Sequence, residues 1–194
     1  MLSLQISNRN SEVAVATSPK HEQNMNIKAF STLSYGVYIV ASGNKQRHSA
    51  FVATTVMQVT AQPAKIMVAC NKNNFTADLI RETKVFSASV LKQNYKPTTM
   101  GTFGFRSGRD FDKFAHCEEF TFGENTDVPI VLEDCMSWFE CRLTEEVDVG
   151  THLLFIGEVL DAQITLEGRP PLTYAYYHEV KSGVTSKNAP TFNK

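Results

Sequence analysis

One stretch of the sequence places polar and basic side chains where a strand gives way to a helix. Residues 70–76 read Cys-Asn-Lys-Asn-Asn-Phe-Thr, and the residues up to Glu82 predict a short helix that an Asn can cap. A helix N-terminus has free backbone N–H groups and a positive dipole end, and Lys72 adds a full charge. This pattern predicts a phosphate site. An ordinary strand-to-helix turn with an Asn cap has the same pattern and is the alternative.

An earlier tract offers a second candidate surface. Residues Ala53–Thr60 mix Thr and Gln side chains with apolar ones, and Thr54 and Gln58 fall on one face. Such a wall can hydrogen-bond the polar edge of a flat heterocycle and cover its apolar faces. A half-exposed strand that uses Thr for its β-propensity has the same pattern. Both interpretations stay open at this level.

Other catalytic motifs are absent from the sequence. It has no nucleophile elbow, P-loop, GxGxxG or HExxH motif, and its 5 His residues lack metal-ligand spacing. The 4 Cys residues include no CxxC pair, so we expect reduced, structural thiols. Metal catalysis is therefore disfavoured, and no metal site is predicted.

Length and charge limit the class of protein. The 194 residues, of which 42% are hydrophobic, suffice for one domain with a sizeable core. The 19 Lys and Arg against 20 Asp and Glu leave a net charge of -1, which attracts neither nucleic acid nor an anionic membrane. No apolar run reaches the roughly 18 residues of a membrane-spanning helix, and no secretory signal is recognisable. We expect a cytoplasmic protein without nucleic-acid or membrane partners.

Short strands joined by turns are the main secondary structure that the sequence predicts. β-branched and aromatic runs begin at Leu33, and their pattern is typical of a barrel or a sandwich. Apolar and polar residues alternate on both sides of an Asp-Val-Gly turn, which predicts a long hairpin over Met136–Leu160. The fold class is mainly β with short helices. The other predicted strands are Leu33–Val40, Phe51–Val59, Lys65–Cys70 and Val85–Leu91, and the predicted helices are Asn73–Glu82 and Asp110–Ala115.

The first residues differ in texture from the rest of the chain. Residues 1–24 are polar apart from the Val13–Ala16 patch, and a second Met follows at position 25. We therefore expect a flexible N-terminal extension over residues 1–24 and one domain over residues 25–194.

The order of several short motifs resembles the flavin reductase-like, FMN-binding split-barrel family. The resemblance covers about Met25 to the C-terminus and rests on the order and spacing of motifs that are each short. Within the family, the C-terminal Tyr176–Lys181 and Lys187–Pro190 are similar to flavoredoxins and to the flavin domain of high-molecular-weight rubredoxins. The other motifs are Gly43–Ala50, Ala53–Pro63, Asn71–Thr76, Phe86–Leu91, Gly108–Asp110 with Asp112–Phe114, and Gly150–Val159.

The resemblance implies an FMN-binding split β-barrel, a homodimer and a set of site residues. His152 matches the His of the family's Gly-Asp-His motif near the flavin and the nicotinamide and is the implied catalytic residue; here Thr151 stands where Asp is usual. Lys113 and the Tyr177–Lys187 region are implied to cover the ligand. The implied strand along the ring and ribityl chain is Thr54, Thr55, Val56, Met57 and Gln58, and the implied phosphate segment is Asn71, Lys72, Asn74, Phe75 and Thr76.

The implied chemistry belongs to the flavin, while the protein supplies position and electrostatics. NAD(P)H passes a hydride to FMN, and electrons go on to free flavin, a rubredoxin, another redox protein or oxygen. Two alternatives from other classes stay open. One is a flavoredoxin-type electron-transfer protein that a protein donor reduces, and the other is a non-catalytic β-barrel binding module.

Overall fold

The structure, a computed structural model, describes residues 25–191, so the extension expected over residues 1–24 lies outside the described part. Two compact units divide after Thr32. The described part of the first unit contains a 3₁₀-helix, Ile27–Thr32. Every strand and α-helix described belongs to the second unit. No helix among residues 25–191 is long and apolar enough to cross a membrane.

Nine strands and three α-helices make up the second unit, as the prediction of a mainly β fold with short helices requires. The strands are β1 (Tyr38–Gly43), β2 (His48–Ala53), β3 (Val56–Ala61), β4 (Ala64–Asn71), β5 (Val85–Leu91), β6 (Phe120–Phe122), β7 (Pro129–Val131), β8 (Cys135–Asp148) and β9 (His152–Ile164), and the helices are α1 (Phe75–Thr83), α2 (Pro97–Phe105) and α3 (Tyr174–Glu179).

Seven strands form one antiparallel sheet in the order β2-β1-β5-β8-β9-β4-β3. The sheet is not closed, because β2 and β3 stand at its two ends. The long hairpin of β8 and β9 lies inside the sheet, and β6 and β7 pair separately. The turn between β8 and β9 follows Asp148, so the predicted long hairpin is confirmed.

The core lies between the inward faces of this curved sheet. Val40, Phe86 and Phe155, from three different strands, are fully buried in it. Gly157 on β9 is required at this point, because a Cβ there would lie 2.5 Å from the Phe86 ring. Close packing of this kind leaves no room for an added methyl group.

The prediction of one strand over Phe51–Val59 is wrong. β2 ends at Ala53, and β3 begins at Val56 on the opposite edge of the sheet. The alternating pattern runs through the break because β3 is an edge strand with outward apolar residues: Met57 is 53% and Val59 is 45% exposed. The strand predicted from Leu33 begins only at Tyr38, and the helix predicted over Asp110–Ala115 is a 3₁₀ turn, Phe114–His116.

The four cysteines are free thiols inside or near the core. Cys70, Cys135 and Cys141 are buried, and Cys117 is half-buried. Burial raises the pKa of the Cys117 thiol to about 12. It raises the pKa of the other three thiols as well. This placement agrees with the structural role expected from the sequence.

Helix α1 begins and ends with specific caps. The Asn74 side chain accepts a hydrogen bond from the Thr76 N–H at 3.0 Å. At the other end Lys84 adopts a left-handed φ of 61° and donates its N–H to the Ile80 carbonyl. The predicted helix is confirmed with this Asn as its cap. The buried side of the helix includes Leu79 and Ile80.

We predict that Asn74→Ala lowers the free energy of unfolding by about 0.5–2 kcal/mol, because the Thr76 N–H loses its acceptor. Urea unfolding of the purified variants measures this. Asn73→Ala is the matched control, since the Asn73 side chain is exposed and makes no hydrogen bond within residues 25–191. Equal losses in the two variants would contradict the capping role.

Candidate functional site

A cavity of about 230 Å³ opens beside the N-terminus of α1. Its walls come from the end of β2, the turn before α1, the loop after α2 and the C-terminal segment. A smaller cavity of about 40 Å³ adjoins it, and Thr54 lies in its wall. Five residues line both cavities: Val52, Gly104, Phe105, Ser186 and Ala189. The two cavities therefore form one candidate site with two compartments.

Lys113 is the most unusual side chain in this site. It is only 4% exposed, and its ammonium donates hydrogen bonds to the carbonyls of Ala50 at 2.7 Å and Phe103 at 3.1 Å. No carboxylate of residues 25–191 forms an ion pair with it. Burial lowers the pKa of Lys113 to about 8. A buried cation with two carbonyl partners keeps one N–H for a further acceptor.

The charge around the larger cavity has one sign. Lys113 and Arg106 are the charged residues that line it, and no Asp or Glu of the described chain is among the lining residues. The N-terminus of α1 adds backbone donors, because the N–H of Phe75 belongs to the first turn and has no intrahelical carbonyl to bond. The arrangement can bind an anionic group such as a phosphate.

The Asn side chains of the turn hold the backbone in place. Asn71 accepts from the N–H of Asn73 at 2.9 Å, and Asn74 caps the helix. The glycine at Gly108 lets the neighbouring loop approach, because a Cβ there would lie 2.0 Å from Ser49 Oγ. The turn before α1 and the loop at Gly108 therefore form two walls of the larger cavity.

Several buried hydroxyl groups lack hydrogen-bond partners within the described chain, and one of them, that of Thr54, lines a cavity. The Oγ atoms of Ser49, Thr54 and Thr76 are buried and have no hydrogen-bond partner within the described chain. An unpaired buried hydroxyl costs about 1–3 kcal/mol. Thr54 lines the smaller cavity, whose other walls are mainly apolar, including Val37 and Met100. A ligand with a polar edge and apolar faces would satisfy the Thr54 hydroxyl.

The structure brings only part of the predicted set to the cavities. Asn71, Asn74, Phe75 and Lys113 line the larger one, and Thr54 lines the smaller. The other members of the predicted set do not line them: Thr55, Val56, Met57, Gln58, Lys72, Thr76 and His152.

An ion pair with a carboxylate holds the Lys72 side chain away from the two cavities. Its ammonium lies 2.6 Å from Asp148 Oδ2 in the turn of the long hairpin. This hydrogen bond lowers the pKa of Asp148. The Lys72 N–H also donates to the Thr151 carbonyl at 3.1 Å. The residue fastens the hairpin to the turn before α1.

His152 lies at the start of β9, opposite Asn71. Its Nδ1 lies 2.9 Å from the Thr151 hydroxyl, and its Nε2 lies 3.1 Å from the Asn188 carbonyl oxygen. Because a carbonyl only accepts, Nε2 donates to Asn188, and in a neutral imidazole Nδ1 then accepts from the Thr151 hydroxyl. The imidazole therefore contacts the cavity wall through the backbone of Asn188.

The Tyr177–Lys187 region of the predicted set includes Ser186, which lines both cavities. The predicted set did not contain Arg106, α2 or Asn188–Pro190, all of which contribute to the walls. The C-terminal Lys187–Pro190 motif was the available signal for the last of these. The guanidinium carbon of Arg106 lies 4.2 Å from the centre of the Phe111 ring. The loop that contains Arg106 has no regular sequence pattern, so nothing in the sequence indicated this position.

Comparison with known proteins places the chain among flavin enzymes. The family model described as "Flavin reductase like domain" matches residues 30–182. The chain is 43% identical over 168 residues to the high molecular weight rubredoxin of Moorella thermoacetica, covering 87% of this chain and 72% of that protein. It is 39% identical over 168 residues to the ferric-chelate reductase (NAD(P)H) of Archaeoglobus fulgidus, covering 87% and 98%.

A solved structure supports the fold. The NADH:FAD oxidoreductase SgcE6 of Streptomyces globisporus is 19% identical and superposes with a TM-score of 0.69, covering 83% of this chain and 92% of that chain. The split-barrel fold expected from the sequence is thereby confirmed.

The buried ammonium predicts a pH-dependent stability. Unfolded Lys has a pKa near ~10.4, so between pH 8 and that value the unfolded chain binds one more proton than the folded chain at Lys113. Stability of the wild type should therefore rise with pH in this window, relative to Lys113→Met, by at most about 1.4 kcal/mol per pH unit. Urea unfolding at pH 7.5 and 9.5 measures it. A difference that stays constant would show that the folded pKa is not lowered.

Proposed function

Because the chain belongs to the flavin reductase like family, we propose that it is an FMN-binding oxidoreductase that takes a hydride from NAD(P)H. Bound FMN supplies hydride acceptance and onward electron transfer. The observation that carries the proposal is the buried ammonium of Lys113, which has no carboxylate partner among residues 25–191 and shares its cavity with the N-terminus of α1. This is the environment that a phosphate ester requires.

The phosphate would be held by three kinds of donor. Lys113 offers its remaining N–H, Arg106 adds a second cation at the wall, and α1 contributes its first backbone N–H groups. Charge-assisted hydrogen bonds of this type are about twice as strong as neutral ones. Asn71 and Asn74 orient the turn, and Phe75 closes the side of the compartment.

The ring system fits the character of the smaller compartment. Thr54 offers a hydroxyl that has no partner in residues 25–191, and Val52 and Phe105 supply apolar surface where the compartments join. We retain Thr55, Val56, Met57, Gln58, Lys72 and Thr76 as predicted cofactor residues and His152 as a predicted catalytic residue.

Two relatives support different acceptors for the electrons. One is named a high molecular weight rubredoxin, which supports a rubredoxin-type protein as acceptor. The other is named a ferric-chelate reductase (NAD(P)H), which supports a small-molecule acceptor and NAD(P)H as donor. The flavoredoxin-type alternative differs in one respect only, since there a reduced protein replaces the nicotinamide. A cytoplasmic location stays a prediction from the sequence.

The second copy of a homodimer would cover β3. This strand forms one end of the sheet, and its Met57 and Val59 side chains are 53% and 45% exposed. Exposed apolar side chains on an edge strand favour pairing with another chain. In a dimer formed at this edge, Met57 and Gln58 of one copy would contact the other copy. They would then belong to the other copy's cofactor site, although they line neither cavity of their own chain.

The proposed cofactor site predicts a preference for FMN over riboflavin, which lacks the phosphate. Lys113→Gln should weaken FMN binding by roughly 10- to 100-fold and leave riboflavin binding within a few-fold. Quenching of flavin fluorescence measures both affinities. Lys45→Gln is the matched control, because Lys45 pairs with Asp127 and lines neither cavity, while Lys72→Gln tests the predicted role of Lys72. A larger loss with Lys72→Gln would move the phosphate site to the turn of the hairpin.

Anaerobic mixing with NADH and with NADPH tests the activity itself. Bleaching of the FMN absorbance by either nicotinamide is the expected result. A protein that binds FMN but bleaches with neither nicotinamide would instead favour reduction by a protein donor.

The dimer predicts that light scattering returns twice the mass of the chain. Met57→Asp should shift the protein toward the monomer, because a charge at the covered edge is desolvated on association. Val147→Asp is the control, since Val147 is 43% exposed on β8, away from β3. A wild-type monomer that still holds FMN would refute the dimer.

A further inference from the structure

The segment Val184–Pro190, which we call the strap, crosses both compartments of the site. Ser186 and Ala189 line both cavities, while Asn188 and Pro190 line only the larger one. The strap contains no regular helix or strand. Within residues 25–191 no backbone–backbone hydrogen bond joins it to the sheet. It is thus a wall of the cavity that the sheet does not hold.

Side chains of α3 fasten the first part of the strap. The Tyr177 hydroxyl donates to the Val184 carbonyl at 3.1 Å and accepts from the Val184 N–H at 3.2 Å. The Thr185 hydroxyl bonds the Tyr174 hydroxyl and lies 3.1 Å from His178 Nε2. Val184 and Thr185 are therefore joined to α3 through three side chains of the helix, two phenols and one imidazole.

The path of the chain into the strap depends on a close approach. Gly183 lies on the Tyr177 ring, where a Cβ would come within 2.2 Å of ring carbons. The preceding Ser182 has a left-handed φ of 52°, which is unfavourable for a residue with a side chain. The chain thus reverses over the Tyr177 ring before it crosses the cavities.

His152 fastens the far part of the strap. Its Nε2–H donates to the Asn188 carbonyl at 3.1 Å, and the Thr151 hydroxyl fixes the other ring nitrogen. Both nitrogens of the imidazole are therefore occupied by protein atoms. The strap is held at both ends, by α3 and by the start of β9.

The two cavities are smaller than an ordinary small-molecule site. They measure about 230 and 40 Å³, below the roughly 300–1,000 Å³ typical of small-molecule sites. A ligand larger than the two cavities together fits only if one of their walls moves. The strap lines both cavities and is the wall that the sheet does not hold, so we expect it to move when such a ligand enters or leaves.

On the premise of the proposed function, we propose that the strap retains FMN as a resident cofactor, and that His152, Tyr174 and Tyr177 are positioning residues that hold it closed. Opening breaks a small number of hydrogen bonds and no sheet pairing, so it is a local event. Electrons then leave by transfer to a second molecule, while the flavin stays.

Flavin exchange kinetics test the proposal. The variant Tyr174→Phe/Tyr177→Phe keeps both rings and loses their hydroxyl bonds to the strap. We expect the rates of FMN association and dissociation to rise together by about 10-fold or more, with the dissociation constant changed only a few-fold. Flavin fluorescence after rapid mixing and after dilution measures the two rates. A damaged site would instead raise dissociation alone.

Tyr176→Phe is the matched control, because it removes a hydroxyl from the same helix that makes no hydrogen bond in the described chain. Its exchange rates should equal those of the wild type. His152→Ala should raise both exchange rates in the same way as the tyrosine variant. If it slows reduction by NAD(P)H and leaves exchange unchanged, His152 contacts the nicotinamide and is not a fastening of the strap.

A second measurement does not depend on the variants. Hydrogen–deuterium exchange of the wild type should show that residues 184–190 become protected when FMN is added, since exchange there requires opening. Unchanged protection, or unchanged kinetics in the tyrosine variant, overturns the strap while FMN binding stands. A wild type that takes up no FMN overturns the proposed function and the strap together.

Discussion

The ammonium group of Lys113 ties together the elements that surround the site. It bonds a carbonyl of β2 and a carbonyl of α2, and so fixes the loop after α2 against the sheet. A buried charge is costly unless partners compensate it, and within the described part of the chain the compensation is two neutral carbonyls. An anionic ligand would supply the missing charge. Binding and folding are therefore coupled at this one group.

The long hairpin supports the other side of the site. Its turn is fastened to the residues before α1 through Lys72 and Asp148, and β9 runs beside β4 so that His152 faces Asn71 across the ladder. The turn before α1 is thus held by its own caps and by a neighbouring strand. A rigid frame of this kind allows the movable wall, the strap, to be only lightly attached.

The parts of the fold that the sequence predicted are those set by local pattern. The alternation in β5 and β8, the Asn cap of α1 and the Gly-containing turn at Gly150 act over a few residues. Helix α2 was not predicted, because its sequence contains Gly and Thr and its first turn is capped from a distance. Asp134 accepts there from the Lys96 N–H and the Thr99 hydroxyl. The chain crossing after Ala53 and the burial of Lys113 likewise depend on contacts distant in sequence.

The deep placement of the thiols affects how the protein withstands its own chemistry. Reduced flavin that meets oxygen forms peroxide next to the protein. Attack by peroxide on a cysteine follows its thiolate fraction and exposure. Burial raises the pKa of Cys117 to about 12 and raises that of Cys70, Cys135 and Cys141 too, so thiolates are scarce at neutral pH. A low thiolate fraction slows the reaction of these cysteines with the oxidant that side reactions in air would release, most of all for the three that are buried.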